Sequence, residues 1–536
     1  MRGAVAGGHP LTAQAGARVL EAGGNAVDAA VGAALVSWVA ESPLTGPGAG
    51  GFMLVHRARD RSTRVFDFFV AIPGLGDDSE LSLMDHVDVD FSGGSTQRFH
   101  IGAASCAIPG AALGLETAHR SFGRLPWRDL FEPAIKLARD GVELNDGQGY
   151  LHRILDLILR HTPEARAVYE QDGAALAAGD TLIQTDLAQT LARLADKGAA
   201  ELYTGELGGA IVEHLRASGG CFTERDLTEY RVIRRRPVRM SFCGEEFFSN
   251  PPPSRGGVLI AYGLPLLEEF GVGKPGTAEA IDALARVMRE QADAPSGRGL
   301  LRALELGGAV VTRGTTHISV IDGQGNAVAL TASTGAGSGV VVPGTGIHMN
   351  NMIGEFDIAR KPRAGARLSS GMSPSLVLRE GSPHLVVGSA GSLRLRGAVM
   401  QIVNNVVAHG FPVEEAIDRP RVHLEGEDLH CEGGHDPGEL DKLEAMGWNV
   451  TRWRNRNLYF GGAAAVTLQD GGLAAAGDPR PSKSRRPDSA GMFDCHCPSS
   501  SLTAYLTEPG LTPHLTNLSG ALNRCLHRAR ATSLSF

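Results

Sequence analysis

The sequence predicts an α/β protein, and three observations support that fold class. Pro10–Glu21 and the stretch after Asn25 have the apolar spacing of helices. His317–Asp322 and Asn326–Ser333 alternate with period two across a Gly-Gln-Gly turn, which is typical of a β-hairpin. The chain has 536 residues, of which 43% are hydrophobic and 21% charged, so it can bury a large core.

The first predicted unit is a helical hairpin whose limits follow from capping residues. The first helix ends at a Gly-Gly step, and Asn25 can cap a second helix that runs to Val39. Asp28 in its first turn lies near the positive end of the helix dipole. Two strands follow in Met53–Phe68, and Trp127–Asp140 has the apolar face of an amphipathic helix.

The second half of the chain continues the mixture of helices and strands. The prolines at Pro251–Pro253 cannot lie inside a central strand or a helix, so they indicate a turn. Ala278–Asp293 has helical spacing and precedes a stretch rich in Gly and Pro. A second hairpin and two more helices are expected at Ser375–Arg379 with His384–Gly388, at Met400–Ala408 and at Pro437–Gly447.

Charge and hydropathy limit the partners and the location. A formal net charge of −8 gives no electrostatic reason to expect nucleic acid or an anionic membrane, so a small molecule or a peptide is expected. No stretch is apolar over the length that spans a bilayer, and the start lacks the apolar region of a signal peptide. The sequence as written is therefore expected to be cytoplasmic, with export open if the true start lies upstream.

Neither a metal nor a cofactor is expected. The seven cysteines are odd in number and scattered, which argues against a disulfide framework. Cys495-His496-Cys497 lacks a second ligand pair at usable spacing for zinc. Gly46–Gly51 fits the Gly-x-Gly-x-x-Gly pattern, but it precedes a strand instead of following one, so it indicates a turn.

The step from Gly314 to Thr315 has the chemistry of a latent nucleophile. If the peptide bond after Gly314 is cut, Thr315 gains a free α-amine beside its hydroxyl, and such an amine can activate a weak nucleophile. An α-amine titrates at about 7.7–8.0, which suits proton transfer near neutral pH. Taken alone, the same residues also fit an ordinary loop that enters a strand.

Several segments around this step, in a fixed order, resemble the gamma-glutamyltranspeptidase family from about Arg2 to Arg480. Each segment is weak alone, and their order carries the resemblance. The segments are Gly24–Ala30, Thr45-Gly46 with Gly50–Leu54, Pro251–Ser254 with Gly256-Gly257, Thr315–His317, Gly339–Ile347, Asn350-Asn351, Ser369-Ser370 before Met372–Pro374, and Gly388–Gly391.

The resemblance implies a fold and a division of the chain. The fold is the four-layer αββα sandwich of N-terminal nucleophile hydrolases, with which helices that flank paired sheets agree. A large-subunit region would span residues 1–314, and a small-subunit region would begin at the nucleophile and span 315–480. Self-cleavage would start when the Thr315 hydroxyl attacks the carbonyl of Gly314, a residue without a Cβ that can take a strained conformation. The product would be a heterodimer of the two processed pieces.

The family pattern also suggests catalytic residues beside Thr315. Ser333 stands where the family has a second hydroxyl residue that orients the nucleophile, although an ordinary solvent-facing strand serine fits equally. Gly391 and Ser392 match the family's oxyanion loop, whose N–H groups would stabilise the tetrahedral intermediate; the family commonly has a second glycine at Ser392. The alternative for this loop is a glycine-rich turn without that role.

The acyl-group pocket departs from the family pattern. Where the family has an arginine that binds the substrate α-carboxylate, this chain has Phe69, which supplies no charge. The assisting pair Ser369 and Ser370 is present, and Glu355 replaces the aspartate that helps to bind the α-amine. Arg394 or Arg396 could supply part of the missing charge, or either could be structural.

These observations lead to one hypothesis with two alternatives. The main hypothesis is a self-processing amide hydrolase or acyltransferase that transfers a γ-glutamyl or related acyl group, as from glutathione-like substrates, through a Thr315 acyl-enzyme to water or an amine. The first alternative is an acylase or amidase with a non-glutamyl acyl group, which Phe69 favours. The second is an unprocessed, non-catalytic homologue that binds a peptide.

The end of the chain differs from the rest. Residues 481–536 are rich in Ser, Thr and His with little periodicity, so we predict a disordered tail.

Overall fold

The computed structural model describes residues 3–77, 82–90, 96–293, 315–355, 363–390, 394–469 and 471–480, with the backbone alone at 503–507 and 514–515.

Strands occur along the whole described chain. They are β1 Gly3–Gly7, β2 Gly50–Arg57, β3 Ser62–Phe68, β4 Asp85–Asp90, β5 Thr96–Ile101, β6 Val142–Glu143, β7 Glu170–Gln171, β8 Ala174–Ala175, β9 Thr181–Leu182, β10 Ile233–Arg235, β11 Val238–Phe242, β12 Glu245–Ser249, β13 Thr316–Asp322, β14 Ala327–Ser333, β15 Val341–Val342, β16 Ile347–His348, β17 Ser375–Arg379, β18 Ser382–Ala390, β19 Val422–Glu425, β20 Asp428–Cys431, β21 Asn449–Arg452, β22 Gly462–Gln469, β23 Gly472–Gly477, β24 Thr503–Thr507 and β25 His514–Leu515.

Helices fill most of the connections. They are α1 Pro10–Glu21, α2 Ala26–Ala40, α3 Ala111–Phe122, α4 Glu132–Asp140, α5 Asp146–Ile154, α6 Asp156–Leu159, α7 Pro163–Tyr169, α8 Thr185–Lys197, α9 Ala200–Tyr203, α10 Glu206–Ala217, α11 Glu224–Thr228, α12 Gly256–Phe270, α13 Ala278–Asp293, α14 Leu395–Val403, α15 Val413–Asp418 and α16 Pro437–Ala445.

Two large sheets form the centre of the molecule. The first has the strand order β10-β3-β2-β14-β13-β1-β24-β25, and the second has the order β11-β12-β17-β18-β22-β23. The sheets pack face to face, with β13 over β18 and β22. Helices α1 and α2 cover the outer face of the first sheet, and α12 and α14 cover that of the second. The architecture is therefore the four-layer αββα sandwich that the resemblance implied.

Alternation along the strands divides the core into three layers. In β13, Ile318 and Val320 face the helices of the first sheet, whereas Ile321 faces the second sheet. In β18, Leu385 and Val387 face the helices of the second sheet, whereas Val386 lies between the sheets. A residue of β13 at an odd position thus points into the layer between the two sheets.

The predicted helical hairpin is confirmed, including its cap. The Asn25 side chain accepts from the backbone N–H groups of Val27 and Asp28, and the Asp28 carboxylate accepts from the N–H of Asn25. This reciprocal capping box satisfies donors that would otherwise be orphaned at the start of α2. The hairpins β2–β3, β13–β14 and β17–β18 are present as predicted.

Three expectations differ from the structure. The helix expected at Met400–Ala408 begins at Leu395 and continues as a π-helical turn at Asn404–Ala408. Trp127–Leu130 is a separate 3-10 turn before α4. In the tail expected to be disordered, Thr503–Thr507 pairs antiparallel with β1; the other tail residues lie outside the described ones, apart from the strand β25.

Candidate active site

Thr315 stands immediately before β13, in the middle of the eight-stranded sheet. It is 1% exposed, and within the described part of the chain its hydroxyl has no hydrogen-bond partner. Its odd position places it on the side of β13 that faces the second sheet, as Ile321 does. Gly314, the other residue of the predicted cleavage step, lies outside the described residues.

Ser333 lies across from Thr315. Thr316 pairs with Ala332 in the antiparallel register of β13 and β14, so the next pair outward is Thr315 with Ser333. Opposite residues of an antiparallel pair project to the same face. Ser333 is fully buried, and its hydroxyl accepts from the N–H of Gly335 at 2.8 Å. The solvent-facing alternative is therefore wrong for Ser333, while its role in orienting the nucleophile stays a prediction.

The end of β18 meets the start of β13. A Cβ built on Gly388 would lie 2.3 Å from two ring atoms of His317, so the backbone of β18 passes directly over that ring. Val386 and Ile321, further along, share the core between the sheets. Ala390 at the end of β18 is thus at the edge where Thr315 stands. Gly391 and Ser392, the predicted oxyanion residues, directly follow Ala390 and lie outside the described residues.

His317 itself is a structural residue. Its ring nitrogens are hydrogen-bonded to the hydroxyls of Thr331 at 2.7 Å and Ser319 at 3.0 Å. Complete burial lowers the pKa of His317 to about 3, so the ring is neutral at physiological pH. It fills the space under Gly388 and fixes the spacing of the two sheets beside Thr315.

A buried carboxyl that the sequence reasoning did not identify lies on the other side of β13. Glu41, just after α2, accepts from the hydroxyls of Thr12 and Thr316, both at 2.6 Å. Burial raises the pKa of Glu41 to about 7, although the two hydroxyls lower it in part. Thr316, the residue after Thr315, is thereby tied to both helices of the first layer. The signal available in the sequence was a glutamate directly after the apolar last turn of α2.

Glu355 reaches the same end of β14. Its carboxylate accepts from the N–H of Ala336 at 3.1 Å, and the side chain of Asn351 accepts from the same N–H at 2.9 Å. Ala336 comes three residues after Ser333, so the structure brings the predicted amine-binding carboxylate close to the Thr315–Ser333 pair. Asn350 has a different function, because its amide joins Gly48 to Ala107.

Ser369 and Ser370 are buried and tied to the proline turn. The Ser369 hydroxyl donates to the carbonyl of Pro253 at 2.8 Å, and the Ser370 carbonyl accepts from the N–H of Arg255 at 2.8 Å. Because β17 runs antiparallel to β18, the residues before β17 and those after β18 lie at one edge of the second sheet. The serine pair and Ala390, the residue before the predicted oxyanion loop in the sequence, therefore share that edge.

Phe69 is part of the core between the sheets. It is fully buried and stacks on Phe52 with ring centroids 5.5 Å apart. Arg367 lies beside it, but its guanidinium is engaged by the Phe69 carbonyl, the Tyr230 hydroxyl and, 3.5 Å away, the carboxylate of Asp67. Arg367 therefore holds the backbone at Phe69 in place and does not restore the missing carboxylate-binding group. The substrate contact predicted for Phe69 stays a prediction.

Arg394 and Arg396 lie at the start of α14. The guanidinium of Arg394 is 4.1 Å from the ring centroid of Tyr459, which makes it a stacked residue within an aromatic cluster. Arg396 is two residues further along, and burial, together with the charge of Arg255, lowers its pKa to about 10. Among the described residues, no group of three His, Cys, Asp or Glu side chains could hold a metal ion. No helix in the described ranges is long and apolar enough to cross a membrane.

Comparisons with known proteins agree with this architecture. The sequence profile of the family described as Gamma-glutamyltranspeptidase matches residues 12–296 and 279–487. The chain is 30% identical to the glutathione hydrolase proenzyme of Escherichia coli K12, with 89% of this chain and 90% of that protein covered. It is 32% identical to the acylase ACY 1 proenzyme of Pseudomonas sp. V22, with 89% and 91% covered.

A solved structure supports the fold independently. The cephalosporin acylase from Bacillus halodurans superimposes with a TM-score of 0.77 at 24% identity, covering 89% of this chain and 94% of that one. The relatives are named as hydrolases and acylases, which supports amide hydrolase or acyltransferase chemistry for their common fold. The profile covers most of the sequence on both sides of Thr315. The chain therefore belongs to the gamma-glutamyltranspeptidase family.

Proposed function

We propose that the protein is a self-processing N-terminal threonine amidohydrolase and acyltransferase that acts on a γ-glutamyl or related acyl amide. The observation that supports this most directly is the buried Thr315 at the head of a central strand, with Ser333 opposite it and the end of β18 beside it. Thr315 lies on the side of β13 that faces the second sheet, and Ala390, the last residue of β18, lies at the same edge.

Maturation is the first reaction of the proposal. The Thr315 hydroxyl attacks the preceding carbonyl, the acyl chain moves from nitrogen to oxygen, and water hydrolyses the ester. The products are a new carboxyl end at Gly314 and a free α-amine at Thr315. Cleavage would not separate the pieces, because the first sheet interleaves β1, β2 and β3 with β13 and β14 from beyond the cleavage site.

Turnover then uses both groups of Thr315. The α-amine takes the hydroxyl proton while the oxygen attacks the amide carbonyl of the donor, and Ser333 would orient that oxygen. The N–H groups of Gly391 and Ser392 would bind the oxyanion, and loss of one such donor typically costs about 2.7–4 kcal/mol of barrier. The amine product leaves with the proton. Water or an acceptor amine then releases the acyl group from the ester.

The identity of the acyl group separates two versions of this function. A γ-glutamyl donor carries an α-amine and an α-carboxylate, for which Glu355 and the pair Ser369 and Ser370 are the proposed contacts. An acylase with a non-glutamyl acyl group is favoured by the uncharged Phe69 and by the similarity to proteins named acylases. A chain that remains intact would instead support a non-catalytic homologue that binds a peptide.

Intact mass and N-terminal sequencing after incubation at neutral pH test the proposal. The wild-type protein should yield a fragment that begins at Thr315, and the two pieces should elute together in gel filtration. Thr315→Ala should stay intact and inactive, whereas the matched Thr315→Ser keeps a hydroxyl and should still be cleaved. A cleaved Thr315→Ala, or a cut at another bond, would refute the assigned nucleophile.

A further inference from the structure

A cleft lies at the end of the first sheet that is far from Thr315. Strand β13 starts next to Thr315 and runs for seven residues to Asp322, a length of roughly 20 Å. The turn that follows β13 carries Gln324 and Asn326, and both line a cleft of about 700 Å³. A ligand in this cleft would therefore be well separated from an acyl group on Thr315.

The charged side chains that line this cleft are all arginines. They are Arg57 at the end of β2, Arg59 in the turn before β3 and Arg124 after α3, and we call the site the arginine cleft. Among the lining residues that the structure describes there is no aspartate or glutamate. Asp60 pairs with Arg57, whereas no ion pair within the described ranges engages Arg59 or Arg124. A concave surface with charge of one sign focuses its field and attracts ions of the opposite sign.

Hydrogen bonds hold the backbone of the arginine cleft in place. The N–H of Arg124 donates to both carboxylate oxygens of Asp28, each at 3.0 Å. The N–H of Ala58, between Arg57 and Arg59, donates to the side-chain oxygen of Asn326 at 3.1 Å. The walls of the cleft are thus fixed before a ligand arrives, which lowers the entropic cost of binding.

The contacts of the arginines leave their positive charge largely uncompensated. Arg124 donates to the side-chain carbonyl of Gln324, which is a neutral acceptor. A fourth guanidinium, that of Arg234 in β10, donates at 2.7 Å to the hydroxyl of Ser121, which lines the cleft. A guanidinium donates paired hydrogen bonds in one plane, a geometry that matches the oxygens of a phosphate group. A ligand with several negative charges on one group is therefore the best match.

We propose that the arginine cleft binds a small organic phosphate, with Arg59 and Arg124 as the main contacts of the phosphate group. This site is independent of the acyl-transfer chemistry proposed for Thr315. A small ligand is favoured over nucleic acid or an anionic membrane, because a protein with a formal net charge of −8 repels an extended polyanion. The volume of the cleft is also in the range of sites that enclose small molecules.

Calorimetric titration of the full-length protein with inorganic pyrophosphate, in a metal-free buffer of low salt, tests the proposal. The wild-type protein should bind pyrophosphate, and the affinity should fall as salt is added, because salt screens exposed charges. Arg59→Gln and Arg124→Gln should each weaken binding by about tenfold. The matched control is Arg128→Gln, which removes an exposed arginine that pairs with Asp196 outside the cleft, and it should leave the affinity unchanged.

Thermal unfolding and competition complete the test. Without ligand, the two cleft variants should unfold at the same temperature as the wild-type protein, and pyrophosphate should raise only the wild-type midpoint appreciably, because a ligand that binds the folded state stabilises it. No pyrophosphate binding by the wild-type protein, or an equal loss of affinity in Arg128→Gln, would overturn the proposal. Binding of duplex DNA or anionic phospholipid vesicles that the cleft variants lose, and with which pyrophosphate does not compete, would overturn it in favour of a polyanion surface.

Discussion

Replacement of Glu41 by glutamine should change how stability depends on pH. The Glu41 carboxyl is completely buried between the hydroxyls of Thr12 and Thr316, and burial raises its pKa from 4.5 to about 7. A glutamine has the same shape and does not titrate. Its amide can accept from one hydroxyl and donate to the oxygen of the other.

Whether the Glu41 carboxyl stabilises the fold at low or at high pH follows from the direction of its pKa shift. The folded state holds the Glu41 proton more tightly than the unfolded state does. The stabilisation that the protonated carboxyl gives is therefore fully present below pH 4.5 and is lost as pH rises through about 7. The full loss corresponds to about 3 kcal/mol of unfolding free energy. From pH 5 to pH 9, the unfolding free energy of the wild-type protein should therefore fall by about 2–3 kcal/mol relative to that of the glutamine variant, which has no carboxyl to titrate at this position.

Urea unfolding at several pH values between 5 and 9 measures this difference. Both proteins should carry Thr315→Ala, so that each sample is a single chain. The unfolding free energy of Glu41→Gln minus that of its parent should rise with pH by the stated amount. Glu21→Gln, at an exposed position on α1, should show no such trend. A difference for Glu41→Gln that stays constant within about 0.5 kcal/mol would refute the buried, proton-holding carboxyl.

Two further substitutions test the packing around the site. Gly388→Ala would drive a methyl group into the His317 ring, so we expect a loss of about 1–3 kcal/mol in unfolding free energy and slower maturation. The control is Gly209→Ala, whose Cβ would meet nothing within 4 Å, and it should be neutral or slightly stabilising. Arg480→Met leaves two buried carboxylates without their shared cation and should lower the unfolding free energy by about 3–5 kcal/mol. The control Arg452→Met breaks an exposed ion pair and should lower it by less than about 1 kcal/mol. Equal midpoints in chemical denaturation for the two variants would contradict this.

Elements with local signals were predictable from the sequence, and elements that depend on distant partners were less so. The helix after Asn25 carries its own cap, and the hairpins carry their turn residues, so neighbouring residues sufficed. The start of α14 was placed five residues too late, because Arg394 and Arg396 interrupt the apolar pattern although the backbone there is already helical. The strand Thr503–Thr507 depends on an edge of β1 that no local pattern in the tail reveals.

The sequence by itself determined the α/β class, the family and the candidate nucleophile, because periodicity, capping and motif order can all be read along the chain without knowing which distant residues meet. Only the tertiary structure placed Ser333 opposite Thr315 and joined Glu41 to Thr316. Those pairs are far apart along the chain, and their contact depends on strand register and on the packing of the two sheets. The local environment that shifts a pKa is a result of that packing.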